Sequence, residues 1–145
     1  MRISDVLRGK GSDVVTITGS ASVAELVALL KQKGVGAVVV VGGDDSGAIA
    51  GIVSERDVVR RLAGGVEGLL DGPVSGLMTT QVHTCTADDD LHDVAVKMTD
   101  ERIRHLPVVD GDGRLASIVS IGDVVKTRLG QLQAERDALE GYINS

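Results

Sequence analysis

The 145-residue sequence contains no tryptophan and no phenylalanine, and Tyr142 is its only aromatic residue. A flat ring bound by this chain must therefore lie between aliphatic side chains, because no aromatic stacking platform is present. Cysteine is almost absent too: Cys85 alone excludes an internal disulfide and favours a reducing, cytoplasmic location. We expect Cys85 to be a half-buried strand residue rather than a nucleophile.

Long apolar runs and an excess of basic charge are also missing. No apolar stretch approaches the roughly 18 residues of a membrane span, and the first ten residues lack the apolar run of a signal peptide. The sequence has 15 Lys and Arg against 21 Asp and Glu, a net charge of −6. This acidity disfavours nucleic-acid binding, which requires a basic face. We therefore expect neither a membrane nor a nucleic-acid partner.

The chain consists largely of one unit written twice. Residues 14–41 map onto residues 82–109 at a constant offset of 68, and Ser54 and Asp57 map onto Ser120 and Asp123 at an offset of 66. The difference of two residues falls in Gly-rich turns, where insertions are tolerated. The function should therefore belong to the pair of copies, at the seam between them.

Each copy has the pattern β-α-β-β-α. The first helix is expected to start with a Ser22–Glu25 capping box in copy one and at Thr86 in copy two. Two buried strands joined by a Gly/Asp turn follow, and a second helix opens at Ser54 or Ser120. The fold class is therefore α+β. Such a unit leaves one sheet face uncovered, and packing the two copies with pseudo-twofold symmetry would bury it.

These patterns also predict the boundaries of strands and domains. The strands are expected at 14–18, 37–41 and 48–53 in copy one, and at 82–86, 106–109 and 115–119 in copy two. The expected domains are repeat one with an N-terminal lead (1–65), a linker (66–76), repeat two (77–130) and a C-terminal helical extension (131–145).

An apolar stripe runs along the end of the chain at four-three spacing, which is typical of a coiled-coil contact. Its members are Val125, Leu129, Leu132, Leu139 and Tyr142 or Ile143, interrupted by Arg136. Because the stripe continues past the second repeat, it predicts a homodimer interface. The alternative is a stripe folded back on its own chain.

The residues able to do chemistry lie where a strand runs into Ser-x-x-Asp at a helix start. Copy one reads GIVSERD over 51–57, and copy two reads SIVSIGD over 117–123. One such motif is as typical of a helix cap as of a binding site. The binding interpretation uses the same geometry, because a helix N-terminus favours anions and a first-turn Asp can accept both hydroxyls of a ribose.

The segments GIVSERDVVRRL, ERIRHLPVVD and SIVSIGDVVK resemble the tandem cystathionine-β-synthase (CBS) domain pair, or Bateman module, over about residues 3–129. This resemblance implies clefts between the repeats that bind AMP, ADP, ATP, NAD or S-adenosylmethionine. It assigns the ribose to the motif Asp and places the motif Ser beside ribose and phosphate. Carried over, it implicates Ser54 with Asp57, and Ser120 with Asp123.

The resemblance also implies which side chains line the two clefts. At the Asp123 site these are Val15, Val35 and Ala37, with Ile118 as floor; at the Asp57 site they are Thr79, Val82, Ile103 and His105, with Ile52 as floor. Arg104 is implied as the phosphate contact of the Asp123 site, whereas the Asp57 site must rely on Arg56. Ser117 departs from the glycine of the motif, and its Cβ would crowd a ligand at the Asp123 site.

No nucleophile–base pair, phosphate-binding loop or metal-ligand spacing can be read from the sequence. We therefore expect a regulatory module without catalysis of its own, with no metal, acting through its own oligomer or on a separate effector protein. Two alternatives remain open: a protein–protein interaction module whose clefts are vestigial, and a nucleotide-hydrolysing enzyme, for which the sequence offers no general base.

Overall fold

The computed structural model describes residues 1–11, 13–43 and 47–144. The predicted turn after the second strand falls partly on residues 44–46, outside the described residues. The elements, in chain order, are α1 (Ile3–Arg8), β1 (Thr16–Thr18), α2 (Val23–Lys33), β2 (Ala37–Val41), β3 (Ile49–Ser54), α3 (Glu55–Ala63), a 3-10 turn (Val74–Gly76), β4 (Cys85–Thr86), α4 (Leu91–Asp100), β5 (His105–Val109), β6 (Leu115–Ser120) and α5 (Ile121–Asn144).

The predicted α+β class is confirmed. The described residues form two three-stranded sheets, of order β1-β2-β3 and β4-β5-β6. In the first sheet β1 pairs with β2 in parallel and β2 with β3 antiparallel, with a register shift between Val40 and Val41. The first strand of each copy is shorter than predicted, whereas both hairpins occupy nearly the predicted residues.

The chain divides into two compact units. Unit 1 comprises residues 1–11, 84–108 and 117–144, and unit 2 comprises residues 13–83 and 109–116, apart from 44–46. The N-terminal lead thus belongs to the unit that contains most of the second repeat. The boundaries of the two compact units differ from the predicted repeat boundaries. The predicted boundaries refer to the sequence repeat, and they stay a prediction.

Each unit has its own apolar core, formed by side chains of its own helices and strands. The core of unit 2 consists of Leu26, Leu30, Val38, Val40, Val53 and Val74. The core of unit 1 consists of Ile3, Val6, Cys85, Leu91, Val94, Met98, Leu106, Val108, Val119 and Val124. Burying a Val, Leu or Ile side chain contributes about 1.5–3 kcal/mol to the stability of the folded state. The two clusters therefore stabilise the strands that lead into α3 and α5.

The first helix of each repeat is capped as its local sequence requires. The predicted capping box at α2 is confirmed: Ser22 Oγ accepts from the Glu25 N–H at 3.1 Å, and Glu25 accepts from the Ser22 N–H. The prediction that Thr86 starts the equivalent helix is wrong. The cap of α4 is Asp90, four residues later, because the helix register follows the buried side chains of Leu91, Val94 and Met98.

Residues 66–76, predicted as a linker, are packed onto unit 2. Leu69 and Val74 are buried. The Val74 N–H donates to the Ala21 carbonyl at 2.8 Å, and the Val23 N–H donates to the Gly72 carbonyl at 2.9 Å.

The N-terminal lead makes the matching contacts in unit 1. The Ile3 N–H donates to the Asp89 carbonyl at 2.9 Å, and the Leu91 N–H donates to the Met1 carbonyl at 2.9 Å. Asp89 and Leu91 correspond to Ala21 and Val23 at the repeat offset of 68. Each unit is therefore completed by the segment that precedes the other repeat.

Candidate functional site

Two helix starts carry the predicted Ser-x-x-Asp motifs, and both are closed capping boxes. At α3, Oδ2 of Asp57 accepts from the Ser54 N–H at 2.8 Å and from Ser54 Oγ at 3.0 Å, and the Asp57 N–H donates back to Ser54 Oγ at 3.4 Å. At α5, Oδ2 of Asp123 accepts from the Ser120 N–H at 2.9 Å, and the Asp123 N–H donates to Ser120 Oγ at 3.1 Å. The capping interpretation of the motif is therefore correct at both positions.

Capping uses only one oxygen of each carboxylate. Within the part of the chain that the structure describes, Oδ1 of Asp57 and Oδ1 of Asp123 have no hydrogen-bond or ion-pair partner. All four motif residues are half-buried. Each helix start thus retains an anionic acceptor for a hydroxyl donor, so capping and ligand binding are compatible.

Unit 2 brings several predicted residues of the Asp57 site together. Ile52, half-buried in β3, exchanges two backbone hydrogen bonds with Thr79, of 3.0 and 2.9 Å. β3 then leads directly into Ser54 at the start of α3. Arg56 lies exposed on the first turn of the same helix. Val82 is also in this unit and half-buried, just before β4.

Glycine at position 51 makes the Thr79 contact possible. A Cβ built on Gly51 would lie 2.7 Å from the Thr79 carbonyl oxygen and 2.9 Å from Met78 Sδ. The motif glycine therefore admits a neighbouring stretch of backbone. Ser117, at the equivalent position in unit 1, is buried and carries the Cβ that Gly51 lacks.

Unit 1 contains some of the residues predicted for the Asp123 site. Ile118 is half-buried in β6, and Arg104 lies just before β5 with its carbonyl accepting from the Ile121 N–H at 2.8 Å. Gly36 makes the same contact with Glu55 in unit 2, at 2.9 Å. Arg104 is therefore held at the first turn of α5, whereas the corresponding position beside α3 has no charge.

Lys10 is the residue that sequence reasoning missed at this helix start. Its Nζ donates to Oδ2 of Asp123 at 2.7 Å and to the Ile118 carbonyl. Partial burial pushes the pKa of Asp123 upward, but hydrogen bonds from Lys10 and Ser120 and the charge of Lys10 outweigh it, and the pKa lies below its usual value. No local signal could have revealed this contact, because 113 positions separate Lys10 from Asp123.

The remaining predicted lining residues lie in the unit opposite to the motif that they were assigned to. Val15 and Val35 pack against the core of unit 2, where Ala37 is also buried. Ile103 packs against the core of unit 1, and His105 is half-buried at the start of β5. Their assignment to a ligand stays a prediction.

Other reactive groups are scarce in the described residues. Cys85 is buried, and burial, together with the charge of Asp89, raises the pKa of its thiol to about 11. No group of three or more His, Cys, Asp or Glu side chains there could hold a metal ion. No helix formed by these residues is long and apolar enough to cross a membrane.

The CBS-domain family model matches the chain twice, at residues 3–64 and 74–130. The chain belongs to the CBS-domain family. Its two matches include both Ser-x-x-Asp helix starts, and the predicted family is confirmed. Among curated relatives, the mitochondrial CBS domain-containing protein CBSX3 of Arabidopsis thaliana is 34% identical over 97% of this chain and 71% of its own length.

Solved structures of CBS-domain proteins have the same fold. The CBS-domain containing protein ATU1752 from Agrobacterium tumefaciens is 41% identical, with a TM-score of 0.82 over 88% of this chain and 99% of its own. The protein PAE2072 from Pyrobaculum aerophilum, complexed with AMP, is 32% identical, with a TM-score of 0.75 over 85% and 89%. The CBS domain pair of MJ0100, in complex with 5-methylthioadenosine and S-adenosyl-L-methionine, is 25% identical, with a TM-score of 0.78 over 90% and 98%.

Proposed function

We propose that this chain is a regulatory module that binds an adenine nucleotide, AMP, ADP, ATP or NAD, at the helix starts of α3 and α5, without catalysing a reaction. The observation that carries the proposal is the pair of Ser-x-x-Asp capping boxes, each with one carboxylate oxygen left unpaired among the described residues. The AMP, 5-methylthioadenosine and S-adenosyl-L-methionine complexes of similar CBS proteins support an adenosine-containing ligand.

In this proposal the two motif carboxylates hold the ribose hydroxyls, and the helix N-termini favour a phosphate nearby. Arg56 serves the phosphate at the Asp57 site and Arg104 serves it at the Asp123 site, because each lies at the first turn of the respective helix. The adenine lies among the aliphatic residues predicted above. That assignment agrees with the absence of Trp and Phe, because a flat ring packed between aliphatic side chains needs no aromatic partner.

We also propose that the module is a cytoplasmic homodimer. The apolar residues of α5 support the dimer: Leu129, Leu139, Tyr142 and Ile143 are each more than half exposed in the single chain. Exposed apolar stripes of this length are typical of an interaction surface. Besides the nucleotide and the second copy of the chain, we propose an effector protein that responds to nucleotide binding.

A panel of AMP, ADP, ATP, NAD and S-adenosylmethionine tests the binding function. A ligand that binds only the folded state raises the free energy of unfolding by about 2.7 kcal/mol at a hundredfold excess over Kd. At least one member should raise the melting temperature, and should be recovered unaltered after incubation. No shift at millimolar concentrations would favour the vestigial-cleft alternative, whereas turnover of a nucleotide would favour the enzyme.

A further inference from the structure

Lys10 reaches the start of α5 from the segment that follows α1. It donates to Oδ2 of Asp123 at 2.7 Å and to the carbonyl of Ile118. Only 29% of its side-chain surface is exposed. Because α1 packs against α5, the segment that follows α1 places the Lys10 ammonium group beside the Asp123 carboxylate.

In unit 2, a backbone amide donates to the carbonyl that corresponds to the Ile118 carbonyl of unit 1. The Thr79 N–H donates to the carbonyl of Ile52 at 2.9 Å, and Ile52 corresponds to Ile118 at the repeat offset of 66. The two equivalent carbonyls therefore both accept a hydrogen bond, that of Ile52 from a backbone amide and that of Ile118 from the Lys10 ammonium group.

The residue that precedes this isoleucine explains the exchange. Gly51 lets the Thr79 backbone approach to a distance that no Cβ would tolerate. Ser117 carries a Cβ, which would occupy the space that such a backbone segment needs. A long side chain can reach the carbonyl from further away, so the second repeat uses a lysine and thereby acquires a positive charge at the motif.

The contacts of Lys10 leave hydrogen-bonding capacity on both partners. An ammonium has three N–H donors, and two are used by Asp123 and Ile118. Within the described residues, Oδ1 of Asp123 has no donor. A hydroxyl bonded to Oδ1 would therefore lie beside a cation with one N–H left to donate.

We propose that Lys10 is a ligand-contacting and specificity-determining residue of the Asp123 site, where its third N–H donates to a ribose hydroxyl that is bonded to Asp123. This inference rests on the nucleotide-binding function proposed above. Asp57 has no ion-pair partner within the part of the chain that the structure describes, so Lys10 distinguishes the two sites at their ribose ends.

Calorimetric titration of the 145-residue chain with AMP and with adenosine tests the proposal. The Asp57→Ala background leaves only the Asp123 site to bind. In that background Lys10→Met, which keeps the length of the side chain, should weaken the binding of both AMP and adenosine about tenfold or more, because a charged hydrogen bond is lost. Lys126→Met is the matched control. It removes the same charge three residues beyond Asp123, from an exposed residue of α5, and should change either affinity less than twofold.

The carboxyl pKa of Asp123, measured by NMR in the ligand-free protein, is an independent readout of the ion pair. Lys10→Met should raise that pKa, since the Lys10 hydrogen bond helps to hold it below its usual value, and Lys126→Met should leave it nearly unchanged. An unchanged pKa in Lys10→Met would overturn the ion pair on which the proposal is built.

The other outcomes separate this inference from the proposed function. If the wild-type protein binds no member of the nucleotide panel, the binding function fails and the role of Lys10 fails with it. If it binds another member but not AMP, that member replaces AMP in these titrations. If the Asp57→Ala protein binds AMP equally well with and without Lys10, only the role of Lys10 fails. Weakened binding of AMP but not adenosine would make Lys10 a phosphate contact and overturn the ribose assignment. Tighter binding in Lys10→Met would show that Lys10 competes with the ligand for Asp123. That result would also overturn the proposed contact between Lys10 and the ribose.

Discussion

Thr79 and Ile52 exchange two backbone hydrogen bonds, of 2.9 and 3.0 Å, directly beside Gly51. A Cβ at position 51 would lie 2.7 Å from the Thr79 carbonyl oxygen. The bridge therefore requires glycine, and it fixes the segment after the 3-10 turn against the strand that leads to Asp57.

Gly51→Ala should destabilise the protein, because neither the Thr79 backbone nor β3 can move without breaking the bridge. Overpacking of a buried site costs about 1–3 kcal/mol, which thermal or denaturant unfolding would detect. Ser117→Ala, at the equivalent buried position of unit 1, is the matched control and should cost less, since a Cβ is already accommodated there. Equal losses in the two variants would contradict this explanation of the glycine.

Asp57 combines a capping bond with the proposed ribose contact, and two substitutions separate these roles. Asp57→Ala removes both and should cost about 0.5–2 kcal/mol of stability along with binding at this site. Asp57→Asn keeps an acceptor for the Ser54 N–H, so it should retain most of the stability while losing affinity through the lost charge. Melting temperature and nucleotide affinity are measured on both variants. If both bind as tightly as the wild-type protein, Asp57 is only a cap.

Arg102 adopts a left-handed backbone conformation, with φ of 55°. The equivalent residue after the first helix of unit 2 is Gly34, with φ of 63°. An L-residue in this region costs about 1–2 kcal/mol, so Arg102→Gly should raise the free energy of unfolding by about 0.5–1 kcal/mol once the greater freedom of glycine in the unfolded chain is included. Gly34→Ala should have the opposite effect. Chemical denaturation of both variants measures the two changes in the free energy of unfolding. A lower free energy of unfolding in Arg102→Gly would contradict the claim that the backbone of Arg102 is strained.

The proposed dimer depends on the exposed apolar residues of α5. In the 145-residue chain, Leu132→Ser combined with Leu139→Ser should shift the protein from dimer to monomer in light scattering, because both side chains are exposed in the single chain. Gln133→Ser, an exposed change on the same helix, should leave the mass unchanged, and truncation after Leu129 should act like the double variant. A dimer that survives both the double variant and the truncation uses another surface, and a monomeric wild-type protein excludes the dimer itself.

Features encoded within a few neighbouring residues could be predicted from the sequence. The repeat, the α+β class and the box between Ser22 and Glu25 are of this kind. The start of α4 cannot be predicted in this way, because the run from Thr86 to Asp90 offers several capping side chains, and the burial of Leu91 selects among them. Two contacts distinguish the start of α3 from the start of α5: Thr79 with Ile52, and Lys10 with Asp123. Both join segments that are distant in sequence, so they form only when the chain packs.

The most direct test of the account is a calorimetric titration with whichever nucleotide of the panel most raises the melting temperature. We expect two classes of site in the wild-type protein. Arg56→Ala should weaken one class and Arg104→Ala the other, each by about tenfold or more, since a charged hydrogen bond contributes about 1.5–3 kcal/mol. The absence of binding heat for every member of the panel at millimolar concentrations would contradict the proposed function. Two identical sites, equally affected by either substitution, would contradict the assignment of one arginine to each site.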